Sequence, residues 1–214
     1  MKASADPAGL SHEPQYDETI WDGVEHASAR RLLRAALESF AERGYHATTT
    51  REISRRANLS PTAMYVYYRS KVDLLVTISE IGHTAVLEAV DEATAEATDP
   101  ADHVRRFVHA FAAWHARNHT IARVIQYELH SIPADRFDEI RGLRRKADRR
   151  LRGALRDGIE ESAFSIDSLD LTTLAILSLG IDVARWYDRR PPPETLGAAQ
   201  ADLVMRMIGA NEGA

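Results

Sequence analysis

The chain has 214 residues, 44% hydrophobic and 28% charged, with 27 Lys/Arg against 32 Asp/Glu for a formal net charge of −5. This is enough apolar material to bury a core in one or two domains, while no stretch approaches the roughly 18 consecutive apolar residues of a membrane span. The absence of cysteine excludes disulfides, a thiol nucleophile and a cysteine zinc site, and the N-terminus lacks a basic-then-apolar leader, so a cytoplasmic protein without a membrane partner is expected.

Met1 to about Thr19 is small, polar and Pro/Gly-bearing, and residues 1–20 read as a mobile tail with Trp21 as an anchor at its end. A helix is predicted over 24–43, with Leu33, Ala36, Leu37 and Phe40 as its apolar stripe and Gly44 as its stop. Arg30, Arg31 and Arg34 occupy another face, suited to phosphate contact or to plain solvation. Two short helices and a tight turn are expected next. Thr49 or Thr50 caps the first, Ile53 and Ala57 share its inner face, and Asn58 suits a left-handed turn. Leu59 points back to the core, Ser60 caps the second helix, and Pro61 stands at its first position. That helix, Pro61 to about Tyr67, is too short to stand alone. Met64 and Tyr68 are its buried side, which leaves Thr62, Ala63, Tyr65 and Tyr67 facing outward.

A short, externally supported helix after a tight turn is the helix-turn-helix arrangement, whose second helix enters the DNA major groove. Charge agrees: from His26 to Lys71 nine Arg/Lys stand against three acids, a local net of +6 that leaves −11 for the remainder. A basic module on an acidic body points to a polyanion met at one end.

The residues Gly44-Tyr45, Thr48-Thr49-Thr50, Ile53, Ser60, Tyr65, Tyr67-Tyr68, Ser70-Lys71 and Leu74-Leu75 resemble the DNA-binding module of the TetR family of bacterial repressors. Asn58 stands where that pattern most often has glycine, and Tyr68 where it has phenylalanine. The resemblance covers roughly residues 28–80. It implies DNA contacts at Thr50, Arg51, Ser60, Pro61, Thr62, Ala63, Tyr65, Tyr67 and Lys71. By their chemistry, the Thr50, Tyr65 and Tyr67 hydroxyls and Lys71 suit phosphates. Thr62 and Ala63 can approach base edges and thymine methyls, and Arg51 can reach a guanine.

Beyond the module every segment keeps helical periodicity. A long helix from Lys71 to about Ala97 is ended by Asp99-Pro100 and belongs to both halves of the molecule. Helices follow at about 101–117, with Val104, Phe107, Val108, Phe111 and Trp114 as an aromatic-rich stripe, and at 120–131, ended by Pro133. The next, about 135–161, intersperses Arg141, Arg144, Arg145, Lys146, Arg149, Arg150, Arg152 and Arg156 with Asp138, Glu139, Asp148, Asp157 and Glu160 over an apolar stripe and reads as a salt-bridged outer face. Helices at about 168–187 and 194–208 complete the chain, with the Pro191-Pro192-Pro193 connector between them. The helix at 168–187 is apolar nearly all round, so it and the last helix are expected to pair with their copies as a four-helix bundle in a homodimer, as the resemblance also implies.

For the body, an effector pocket is expected with Phe107, Phe111, Trp114, Val124, Tyr127, Glu128, Leu177 and Ile181 as its binding residues, and Ile78, Gly82 and Leu143 as further walls; ordinary packing is the competing reading for each. Glu128, inside an apolar helix, must be paired if buried or bind a polar ligand group. The Arg185-Trp186-Tyr187 ending is similar to a subgroup of TetR regulators that sense acyl-CoA thioesters, and a CoA ligand needs cations such as Arg144 or Arg145 at the pocket mouth. Asp182 and Arg185 read as an interface ion pair or a ligand contact. His115 and His119 stand at i,i+4 with His103 and His109 nearby, but lack cysteines or carboxylates at matching spacing and read as solvated helix-end side chains. No catalytic spacing or phosphate loop is present.

The expectation is an all-α chain of about nine helices: a helix-turn-helix domain at 21–70 and an effector-binding and dimerisation domain at 71–214. It would act as a dimeric, ligand-released regulator of transcription on double-stranded DNA, a repressor, without catalytic or metal cofactor. A constitutive architectural DNA binder and a small all-α enzyme are the rival classes.

Overall fold

The computed structural model describes residues 16–210, and among them the secondary structure is helical throughout, with no strand. The helices are α1 (Ala27–Arg43), α2 (Thr50–Arg56), α3 (Pro61–Tyr67), α4 (Lys71–Thr94), α5 (Pro100–Arg117), α6 (His119–Glu128), α7 (Asp138–Glu160), α8 (Leu169–Trp186) and α9 (Pro193–Met207). Their boundaries follow local chemistry. Thr49, Ser60, Ser70, Asp99 and Ser168 each accept from a backbone N–H of the first turn they cap, which satisfies a donor that the helix itself cannot. At Thr49 the exchange is reciprocal, since Glu52 also accepts from the Thr49 backbone. Gly44 ends α1 at φ +80°, a conformation that costs an L side chain energy.

The expected tail falls mainly on residues 1–15, outside the described residues. Its last part, however, is structured: Asp17 caps a 3₁₀ turn over Glu18–Trp21, and its backbone N–H donates to Asn118 Oδ1 at 2.9 Å. Trp21 is wholly buried, because its ring is large enough to draw the preceding turn onto α4.

One apolar core runs continuously from Trp21, Leu33 and Phe40 through Leu74 and Ile78 to Phe107, Leu151 and Val204. The aromatic-rich helix α5 is its axis, packed by α4, α7, α8 and α9. Helix α4 contacts α1 at one end and α5, α6 and α7 along its length, as its double membership anticipated. Gly82 lets α4 and α6 approach closely: a Cβ there would lie 2.4 Å from Ile125 Cδ1. The apolar sides of α8 and α9 are only partly covered, with Leu171, Leu174, Trp186, Leu203 and Met207 exposed. No described helix is long and apolar enough to cross a membrane.

Candidate nucleic-acid interface and body cleft

The first candidate site is the outer side of α3. Its inner side is fixed by Met64, fully buried, and Tyr68, while α2 abuts it through a turn in which Asn58 takes φ +54°. Ser60 caps from Ala63 N at 3.0 Å, with Pro61 in the first turn. The side chains left outside are Pro61, Thr62, Tyr65, Val66 and Tyr67, with Ala63 half-buried. Tyr65 is 52% exposed and Val66 75%. Val66 escaped the sequence reading, although its exposure on a seven-residue helix follows from Met64 and Tyr68 facing in. The Tyr67 ring lies against the His26 ring, their centroids 5.8 Å apart.

The cations of this end divide into two groups. Arg56 bonds Glu38 (2.8 Å) and Glu42, Arg43 bonds Glu52 (2.6 Å), and Arg34 bonds Glu18 (2.5 Å). Arg31 donates to Ser28 Oγ. Among the described residues Arg30, Arg51, Arg55 and Arg69 have no such partner, and Arg51, Arg55 and Arg69 are exposed. Thr50 is half-buried beside Arg51 and Ser60 is exposed.

Lys71 departs from the expectation. Its Nζ donates to the Tyr45 and Thr48 carbonyls at 2.6 and 2.7 Å and lies 4.1 Å over the Tyr45 ring. Burial pulls its pKa below the ordinary value, with the Glu128 carboxylate acting against this. Its ammonium closes the loop after α1 instead of facing outward.

The second candidate site is a cleft of about 1250 Å³ walled by α4, α5, α6, α7 and α8. Of the expected binding residues it brings together Phe111, Trp114, Tyr127, Leu177 and Ile181, with Gly82 and Leu143. Phe107 and Val124 are instead buried core, as is Ile78, because they lie on the sides of α5, α6 and α4 turned from the opening. Asp182 and Arg185 form a bidentate pair within α8 at 2.6 and 2.7 Å, and both line the cleft. Arg123, Arg144 and Arg145 also line it, without an ion-pair partner among the described residues. Partial desolvation lowers the Arg144 pKa from its ordinary value.

Glu128 is not part of this cleft. Its Oε1 accepts from Tyr45 N at 2.9 Å, so the carboxylate holds the loop between α1 and α2. Tyr127, the preceding residue, lines the cleft. Consecutive residues at the end of α6 thus serve the two halves. Ser131 Oγ contacts His46 Nε2 at 3.3 Å and Arg136 bonds Asp73 at 2.8 Å, in the same seam.

The histidines also depart from expectation. His115 and His119 are buried, not solvated. His83, which the sequence reading passed over, lines the cleft with His115. Desolvation pushes the pKa of His83 and His115 down to about 4, and lowers that of His119. The signal was present in the pattern, since His115 falls one turn after Phe111 on the apolar stripe of α5.

Residues 32–78 match the model of the bacterial regulatory proteins of the tetR family, and residues 97–208 match the tetracyclin repressor-like C-terminal domain. A crystal structure of a bacterial regulatory protein in the tetR family from Rhodococcus RHA1 is similar at 37% identity and TM-score 0.83, over 87% of this chain and 100% of that one. The HTH-type transcriptional repressor KstR2 of Mycolicibacterium smegmatis is 25% identical over 90% of this chain and 97% of its own. The fold is also similar to the transcriptional regulator FadR from Bacillus subtilis in complex with stearoyl-CoA, at TM-score 0.67 and 21% identity, over 81% of this chain and 96% of that one.

Proposed function

The chain belongs to the tetR family and is a DNA-binding transcriptional regulator, and on that premise we propose that it is a repressor released by an acyl-CoA-type effector bound in the body cleft. The observation that carries this reading is the chemistry of the cleft: apolar and aromatic walls meet three arginines, Arg123, Arg144 and Arg145, that lack ion-pair partners among the described residues. An apolar chain with an anionic head satisfies both. The stearoyl-CoA complex of a FadR with this fold supports the same class of ligand.

On DNA, the outer side of α3 enters the major groove. The Tyr65 and Tyr67 hydroxyls and Thr50 bind phosphates, Thr62, Ala63 and the exposed Val66 approach base edges and thymine methyls, and Arg51 reaches a guanine or a phosphate. Lys71 is omitted because its ammonium already bonds two carbonyls. A second copy covers the exposed leucines of α8 and α9, which gives two reader helices related by a two-fold axis and hence a palindromic operator. Such a protein works in the cytoplasm, where the chromosome is.

Release is transmitted through α6 as well as α4. An effector pressing on Tyr127 displaces Glu128, and with it the loop that carries the module; α4 tilts with α6 because Gly82 packs on Ile125. A few ångströms of change between reader helices mismatches two grooves and costs several kcal/mol of contacts. The test is a fluorescence-anisotropy titration of an operator found by selection from random DNA. A long-chain acyl-CoA should release the DNA. Tyr65→Ala should weaken binding by about 1–3 kcal/mol at unchanged melting temperature. Retention of DNA at saturating acyl-CoA defeats the effector assignment, and unchanged affinity of Tyr65→Ala defeats the docking.

A further inference from the structure

The wall of the cleft holds two ring nitrogens that receive no hydrogen bond from any described residue. His115 is 7% exposed, and its Nδ1 lies 2.7 Å from the Phe111 carbonyl. His83 makes the same contact on α4, 2.7 Å from the Ser79 carbonyl. A carbonyl oxygen can only accept, so Nδ1 carries the proton in both rings and Nε2 is left as a lone pair. Neither Nε2 has a hydrogen-bond partner among the described residues. Both residues line the cleft, His83 half-buried and His115 buried.

The surroundings sharpen what they can bind. Phe111 and Trp114 flank the His115 ring at 4.4 and 5.2 Å. Arg144 disfavours protonation of His83, and His83 that of His115. Exposure falls along the same series, from Arg144 through His83 to His115, so the three lead from the mouth inward. A neutral imidazole acceptor rejects a carboxylate, carbonyl or thioester oxygen, since acceptor would meet acceptor. A bare methylene chain would fill the space but leave Nε2 dry and unpaired.

We propose that the effector carries a hydroxyl on its otherwise apolar chain, and that His115 Nε2 receives that O–H, with His83 Nε2 as a second acceptor nearer the mouth. The proposal rests on the cleft being the site of an acyl-CoA-type effector and names its chain chemistry. A hydroxyl at this depth is selected because the hydrogen bond forms in an apolar environment, where its loss is costly.

The experiment measures dissociation constants by calorimetry for decanoyl-CoA and hexadecanoyl-CoA beside their 3-hydroxy and terminal-hydroxy counterparts. The full-length protein is compared with His115→Asn and His115→Gln. Asparagine keeps the donor to the Phe111 carbonyl but does not extend to the Nε2 position; glutamine places an amide oxygen there. At least one hydroxylated ligand should bind the wild-type protein about tenfold or more tighter than its plain counterpart. His115→Asn should bring that ratio to about one, and His115→Gln should keep most of it. Equal affinity of the wild type for plain and hydroxylated chains, or a ratio that survives His115→Asn, overturns the proposal while leaving the effector reading in place. Binding of no acyl-CoA at all removes the effector reading, and this proposal with it.

Discussion

The reader module and the body cleft are built from the same helices-on-a-core physics but treat polar groups in opposite ways. Around α1 to α3 the polar groups are largely matched: Thr49 with Glu52, Ser60 with Ala63, Arg56 with Glu38 and Glu42, and Lys71 with two carbonyls. In the cleft, Arg123, Arg144, Arg145 and the Nε2 atoms of two histidines face an open volume without partners among the described residues. A matched network holds one geometry, as a groove reader must. Unmatched groups lower stability until a ligand satisfies them. The difference teaches that the two halves divide rigidity and responsiveness, with the Glu128–Tyr45 bond at their junction.

The largest effect should come from breaking the module's own core. Leu33, fully buried, replaced by alanine should cost about 2–5 kcal/mol, read as a lower melting temperature with DNA binding lost through unfolding.

Acidification should act on the body instead. The folded pKa values of His83 and His115 are about 4, against 6.5 for the free side chain. Between those values the unfolded chain takes up protons that the folded one refuses. Stability is therefore fully present above pH 6.5 and is lost as pH falls toward 4, by up to about 3 kcal/mol for each group. Urea melts across this range should show that slope, and His115→Asn should flatten it.

Cutting the junction should uncouple the halves. Glu128→Ala should leave effector affinity unchanged and reduce effector-driven release of DNA by about 1–2 kcal/mol, roughly a five- to thirtyfold smaller shift. Paired titrations with and without effector give the number. Unaltered coupling would return the relay to α4 alone. Smallest is the loss of one cap: Thr49→Ala should cost about 1 kcal/mol, visible by chemical denaturation, with effector binding untouched.

Much of the module was legible because its signals are local. Gly44, Thr49, Asn58, Ser60 and Pro61 each do their work within a few residues of their own position, and the 3.6-residue period assigns Met64 and Tyr68 inward without knowing what covers them. The cleft was legible only in part. Periodicity marked Phe107, Phe111 and Trp114 alike as inward, yet Phe111 and Trp114 line open space while Phe107 is packed solid.

By itself, then, the sequence determined the all-helical class, the helix limits to within a few residues, the helix-turn-helix and which side of the module's helices turns inward. Tertiary structure alone decided that Glu128 serves the module instead of the cleft, that Lys71 is turned inward, and that His83 and His115 meet on one wall. The reason is physical. Caps and stripes are set by neighbours along the chain, whereas a buried polar group takes its role from whichever distant element closes over it, 83 positions away for Glu128 and Tyr45, and helical period carries no record of that partner.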